Sequence, residues 1–164
     1  MLKRWLLSLL LLLPWRLQAQ EESFSFIGIS SASTELKGSQ TTQQLSTLSL
    51  HYGAQTQEWR TLFAYEFHSN SYKKASMQID KIVKDSLFGT PKVRPYLGVN
   101  LSILAYEDEH IEDTHGYSYG GDGGLLFYLS DTIDLDLGYH YEAIEGIESM
   151  ESLQGFWLSL HYFY

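Results

Sequence analysis

From Phe24 onward, apolar residues recur at every second position rather than every third or fourth. That period belongs to strands with two unlike faces. The clearest run is EWRTLFAYEFH. It sets Trp59, Thr61, Phe63, Tyr65 and Phe67 against Arg60, Leu62, Ala64, Glu66 and His68. In PYLGVNLSILAY, Leu97, Val99, Leu101, Ile103 and Ala105 alternate with Tyr96, Gly98, Asn100, Ser102 and Leu104. GYSYGGDGGLLFYL places Tyr117, Tyr119, Leu125 and Phe127 opposite Ser118, Gly120, Asp122 and Gly124. TIDLDLGYHYE sets Ile133, Leu135, Leu137, Tyr139 and Tyr141 against Asp134, Asp136, Gly138, His140 and Glu142. The last ten residues, GFWLSLHYFY, carry Phe156, Leu158, Leu160, Tyr162 and Tyr164 on one side and Trp157, Ser159, His161 and Phe163 on the other.

Three further runs are less regular. LSTLSLHYG offers Leu48, Leu50 and Tyr52 against Thr47, Ser49 and His51. SFSFIGISSAS is apolar at Phe24 and Phe26 and then changes phase at Ile27 and Ile29, which reads as a bulge at Gly28. ASMQIDKIVKDSLF alternates at Met77, Ile79, Val83 and Leu87, but Lys81 and Asp85 share that face. The reading is therefore all-β, with eight strands near 24–33, 45–53, 58–68, 75–87, 95–106, 116–129, 132–143 and 153–164. The connections after strands one, three, five and seven are polar and mostly longer. The others look like tight turns, with Gly89 and Pro91 as punctuation. An even strand count with short turns at one end and longer loops at the other is the layout of an eight-stranded antiparallel up-and-down transmembrane β-barrel.

Composition narrows this. Residues 1–20, MLKRWLLSLLLLLPWRLQAQ, place Lys3 and Arg4 before an apolar run that Pro14 ends, with Ala19 near a cleavable position. This reads as a secretory signal peptide. The run is too short for a bilayer-spanning helix, which needs about 20 residues. The barrel domain is then 21–164. Over the whole chain, 11 basic and 20 acidic residues give −9, and removing Lys3, Arg4 and Arg16 takes it to −12. Such an acidic chain argues against nucleic acid as a partner. There is no cysteine, so stability comes from burial or from a membrane rather than from disulfides.

Alternation alone does not say which face meets solvent. A soluble exported ligand-binding barrel of lipocalin type shows the same period. Three features favour the membrane. The polar face is rich in small residues, Gly98, Ser102, Ser118, Gly120, Gly124, Gly138 and Ser159 among them, which suit the narrow lumen of an eight-stranded barrel. Aromatics gather toward strand ends, with Trp59, Tyr162 and Tyr164 at one end and Phe67, Tyr117, Tyr119, Tyr139 and Tyr141 toward the other, as interfacial girdles do. The signal peptide exports the chain, and strands of about 9–11 residues suffice to span when tilted.

PYLGVNLSILAY, GGDGGLLFYLSDTIDLDLGYHYEAI and GFWLSLHYFY resemble the small outer-membrane β-barrel domain family, similar to the membrane domain of outer membrane protein A. The resemblance implies a barrel in a Gram-negative outer membrane, contact with outer-membrane lipid and lipopolysaccharide, and a C-terminal strand read by the barrel-assembly machinery. No cofactor is expected. The chain stops at the last strand, so no periplasmic peptidoglycan-binding domain is expected to follow, and no role resting on one carries over.

The candidate site residues are the charged and imidazole groups of the inner face: Arg60, Glu66, His68, Asp122, Asp134, Asp136, His140, Glu142 and His161, with Lys81 or Lys84 joining them if the fourth strand shifts register. Buried charges must be paired, so the expected arrangement is a structural network that plugs the lumen. A lipid-modifying enzyme is the alternative. Lipid A deacylases place His and Ser two residues apart on a strand with an acidic partner. Here Glu142 stands where that pattern wants Ser after His140, and Ser159, His161 and Asp134 form a triad only by assumption, on a face turned away from lipid. The run EDEHIEDTH, residues 107–115, is dense in carboxylates, but its spacing matches no calcium loop. Glu145, Glu148 and Glu151 recur at a spacing that would line a short surface helix. Neither implies a metal site.

Overall fold

The computed structural model describes residues 22–38, 42–68, 72–83, 89–106, 115–147 and 150–164. The signal-peptide reading of 1–20 and all of EDEHIEDTH except His115 lie outside these. Eight strands follow one another: β1 (Phe24–Gly38), β2 (Thr42–Gln55), β3 (Trp59–His68), β4 (Tyr72–Ile82), β5 (Val93–Tyr106), β6 (His115–Tyr128), β7 (Ile133–Glu145) and β8 (Met150–Phe163). Each pairs antiparallel with its neighbours, and β8 returns to β1 from Phe26↔Phe163 to Gly38↔Met150. The sheet is a closed barrel without a free edge. Tyr164 extends the seam, donating its backbone N–H to Ser25 O at 3.0 Å.

The face that alternation made apolar points outward. Leu97 is 72% exposed, Ile103 67% and Phe156 63%, with Leu48, Leu50, Leu101, Leu158 and Leu160 exposed beside them. The opposite face is buried and polar: Thr34, Ser49, Arg60, Asp80, Ser102, Ser118, Asp122 and Ser159 are all inside. A water-soluble barrel would have these faces exchanged, so the lipocalin-type reading fails. A largely apolar exterior around a fully hydrogen-bonded cylinder suits a bilayer, even with Ser31 and Ser33 on the outer face of β1. Toward the end that holds both termini, here the terminal end, Trp59, Tyr52, Tyr162 and Tyr164 point outward. The Lys81 ammonium lies 4.5 Å from the centre of the Trp59 ring and pairs with Glu58. Toward the opposite, distal end, Tyr65, Phe67, Tyr117, Tyr119 and Tyr141 point outward.

Several expectations change. There is no bulge at Gly28, because the β1–β2 register runs unbroken from Phe24↔Gln55 to Lys37↔Thr42. The apparent phase change arises because Phe26 is a lumen residue, fully buried, with its ring against His161 at 4.8 Å and Phe163 at 5.3 Å. β4 starts three residues earlier than expected and ends at Ile82, which puts Lys74 in the lumen and Lys81 outside. Segments read as polar loops are partly strand: Thr34, Leu36, Ile144 and Met150 all point in. Leu36, Leu45, Ile144 and Met150 join Tyr72, Leu104, Ile147 and Leu153 in a buried apolar cap at the distal end. Glu145 and Glu151 lie in strands β7 and β8 rather than on a helix, and Glu148 lies outside the described residues. The loop lengths are not segregated either. The longest connection, residues 83–92, is at the terminal end, and two distal connections, 39–41 and 69–71, are short. Gly89 and Gly146 take positive φ in two of the connections, where glycine is favoured.

Candidate functional site

The lumen is too narrow for large side chains on every strand, and glycines on the inner face make the room. Gly28 pairs with both His161 and His51, so the two imidazoles meet across it. A Cβ there would strike His161 Cδ2. Gly98 sits between Asp80 and Asp122 in the same way. Gly124 and Gly138 lie between Tyr96 and Trp157. In each case strands that are not neighbours bring their side chains together.

Four groups fill the space. Arg60 is completely buried. Its Nε is 2.6 Å from Asp80 Oδ2, its Nη1 is 2.8 Å from Asp136 Oδ2, and its guanidinium lies 4.5 Å from the Tyr96 ring centre. Tyr96 donates its hydroxyl to Asp136 Oδ1 at 2.7 Å. In the second group, Gln78 Nε2 donates to Asp80 Oδ1 at 2.9 Å and to Asp122 Oδ2 at 2.8 Å, while Asn100 Nδ2 donates to Asp122 Oδ1 at 3.3 Å. In the third, Lys74 Nζ donates to Glu142 Oε1 at 2.6 Å and stands 3.8 Å from Glu66, and Ser102 and Ser118 both donate to Glu142 Oε2. In the fourth, His161 Nδ1 donates to Asp134 Oδ1 at 2.8 Å, and His161 Nε2 faces His51 Nδ1 at 3.1 Å. His51 Nε2 contacts Ser49 Oγ at 2.8 Å and Ser30 Oγ at 3.2 Å.

The structure thus brings Arg60 and Asp136 into direct contact, joins Asp122 to them through Gln78 and Asp80, and links Glu66 to Glu142 through Lys74. Asp134 and His161 pair with each other. His140 is buried and stacks on Trp157 at 5.4 Å without a hydrogen bond to its Nε2. His68 stands apart from these groups: it is half-buried at the distal end of β3 and donates Nδ1–H to Ser46 O. The sequence reading missed Lys74, Gln78, Asp80, Tyr96 and His51 as partners. The signal for β4 was present in the alternation of Tyr72, Lys74, Ser76, Gln78, Asp80 and Ile82, a phase hidden by starting the strand at Ala75.

The assumed triad does not form. Ser159 Oγ has no hydrogen-bond partner, and the His161 nitrogen that would act as its base is taken by His51. A nucleophile needs its base within hydrogen-bond reach. Among the described residues no group of three or more His, Asp or Glu is arranged to hold a metal.

A mostly apolar exterior, a charged and ion-paired interior, and closure through β1 and β8 define a small transmembrane β-barrel. No protein-family model matches the chain, and no curated protein sequence matches it. Solved structures do. The crystal structure of Neisserial surface protein A matches with a TM-score of 0.69 at 16% identity, covering 88% of this chain and 100% of that one. The solution structure of outer membrane protein H from P. aeruginosa matches at 0.63 and 17% identity, covering 86% and 99%. A de novo designed transmembrane β-barrel matches at 0.53 and 15% identity, covering 88% and 98%. The fold is that of the small eight-stranded outer-membrane barrels.

Proposed function

We propose that the chain is exported by residues 1–20 and resides in a Gram-negative outer membrane as a non-conducting barrel with a structural or surface-interaction role. In this reading the terminal end faces the periplasm and the distal end faces outward. The observation that carries it is the inversion of the barrel: a largely apolar exterior around a lumen crossed by ion pairs. Six buried carboxylates, Glu66, Asp80, Asp122, Asp134, Asp136 and Glu142, share the lumen with Arg60 and Lys74. Apolar clusters lie at both ends, the distal cap and the group of Ile82, Tyr96 and Leu126 with Tyr128 and Trp157. A continuous ion path has to cross both, and dry apolar constrictions oppose ions.

Outer-membrane lipid and lipopolysaccharide are the partners that the exterior fits, and the aromatic β8 is the segment offered to the assembly machinery. The test is fractionation followed by reconstitution. The protein should stay with outer membranes through carbonate extraction, show heat-modifiable migration in detergent gels, and give no unitary conductance in planar bilayers. Release by carbonate refutes membrane residence, and stable conductance refutes the sealed lumen. Unchanged lipid A in cells producing a Ser159→Ala, His161→Ala double variant, compared with cells producing the parent, is expected on this reading.

A further inference from the structure

The fourth lumen group does more than pair charges. At mid-lumen lies a cavity of about 50 Å³, with Ser30, Ser49 and His51 on its lining and Glu66, Lys74 and His140 across from them. By the same measure one water needs about 10–15 Å³, so several fit. Two lining atoms call for water: His140 Nε2, in a residue 5% exposed, and Glu66 Oε1 are buried without a protein partner. On the distal side the apolar cap of Leu36, Leu45, Leu104, Ile144 and Leu153 closes over this region. On the terminal side runs the chain Ser49–His51–His161–Asp134. It ends at Asp134 Oδ2, which accepts no hydrogen bond. Asp134 pairs in register with Tyr128, and Tyr128 borders a vestibule of about 290 Å³ open at the terminal end.

We propose that Asp134, His161, His51 and Ser49 form a proton relay between the mid-lumen cavity and the terminal end of the barrel, so that the cavity exchanges protons with that side alone. The three links from Ser49 to Asp134 are each at hydrogen-bond distance, and the last step, from Asp134 Oδ2 past Tyr128 to the vestibule, is the part of the relay that opens transiently. Before transfer, His161 donates Nδ1–H to Asp134, His51 donates Nδ1–H to His161 Nε2, and Ser49 donates to His51 Nε2. In one concerted step Ser49 passes its proton to His51 Nε2 and regains one from cavity water. His51 passes its Nδ1 proton to His161 Nε2, and His161 passes its Nδ1 proton to Asp134. Cavity water loses one proton, Asp134 gains one, and both imidazoles remain neutral with their tautomers exchanged. The reverse shift loads the cavity. The charged groups facing His51 across the lumen are Arg60 and Asp136, which offset each other through their own ion pair. His161 is packed against Phe26, which keeps competing solvent from the central link.

Trp157, stacked on His140 at the cavity, is a built-in reporter, because protonating His140 quenches the indole. The experiment uses the full chain carrying Trp5→Phe, Trp15→Phe and Trp59→Phe, so that Trp157 is the sole tryptophan. Its fluorescence is followed after a stopped-flow acid jump in micelles. His51→Phe and Gly28→Ala are compared with this parent. The first removes the relay's centre, and the second keeps every titrating group but drives the imidazoles apart. The expected result is a slowing by an order of magnitude or more in both, with the final amplitude unchanged. Should either variant lose heat-modifiable migration, the Ser30→Ala, Ser49→Ala double variant decides instead. An unchanged rate in the folded variants overturns the proposal, as does a parent whose Trp157 ignores the jump. Stoichiometric binding of Zn²⁺ alone that vanishes in His51→Phe also overturns it, since the imidazole pair is then a metal site.

Discussion

Arg60 is the group whose loss should reveal most about what holds this barrel closed. Arg60→Met keeps much of the side-chain volume but removes the cation that stands 2.6 Å from Asp80 and 2.8 Å from Asp136. The Asp80 side chain is fully buried and that of Asp136 only 2% exposed, so water does not replace the guanidinium. Asp136 retains the Tyr96 hydroxyl and Asp80 retains Gln78 Nε2, which softens the loss without cancelling two buried negative charges. Breaking a buried ion pair from one side costs about 3–5 kcal/mol, and that is the expected destabilisation. Adding Asp80→Asn and Asp136→Asn should recover more than half of it, because each new amide oxygen still accepts from Gln78 or Tyr96 while no net charge remains. The assay is urea unfolding in lipid vesicles, read by gel mobility without heating and by tryptophan fluorescence. The reasoning fails if Arg60→Met costs under about 1 kcal/mol, or if the triple variant is as unstable as the single one.

Other outcomes follow from the same geometry. Leu101→Lys places a charge mid-way along the lipid-facing row of β5 and should cost about 2–4 kcal/mol in vesicle unfolding, and insensitivity there contradicts the outward assignment of that face. Gly138→Val drives a side chain into the Trp157 ring and the Tyr96 hydroxyl, so it should lower the unfolding midpoint by about 1–3 kcal/mol equivalent, whereas Gly121→Val, whose Cβ meets only Gly98 O at 3.6 Å, should be tolerated. Lys74→Met leaves Glu142 and Glu66 without their cation and should destabilise by about 3–5 kcal/mol, with Lys73→Met, on the outer face one residue away, as the control that should change little.

How much of this the sequence carried depends on which face is considered. The outward rows Leu97–Ile103 and Phe156–Tyr164 were legible because lipid selects one property, apolarity, at every second position. The inner face obeys no such single rule. Phe26, Leu36 and Leu45 are apolar yet point inward, since the ends of the lumen are packed with hydrocarbon while its middle is ionic. That is why β1 looked bulged, why β1 and β7 seemed to stop early and why β2, β4 and β8 seemed to start late. Lys74 was missed for a related reason. With Lys73 beside it, SYKK resembles a solvated loop, and only the register with Glu66 and Leu104 shows that one lysine of the two is enclosed. The contacts of Arg60 with Asp136 and of His51 with His161 join strands distant in sequence, and no local pattern encodes them.

The glycines at Gly28, Gly98, Gly124 and Gly138 also have a consequence for how such a chain changes over generations. In an ordinary sheet a substitution is felt first by the adjoining strand. Here the absent side chains relay its effect past the adjoining strand to the one beyond. Compensating replacements should therefore arise in skipped pairs, β8 with β2 and β4 with β6, while the intervening glycine stays fixed. A survey of tolerated double substitutions that found coupling only between adjacent strands would contradict this.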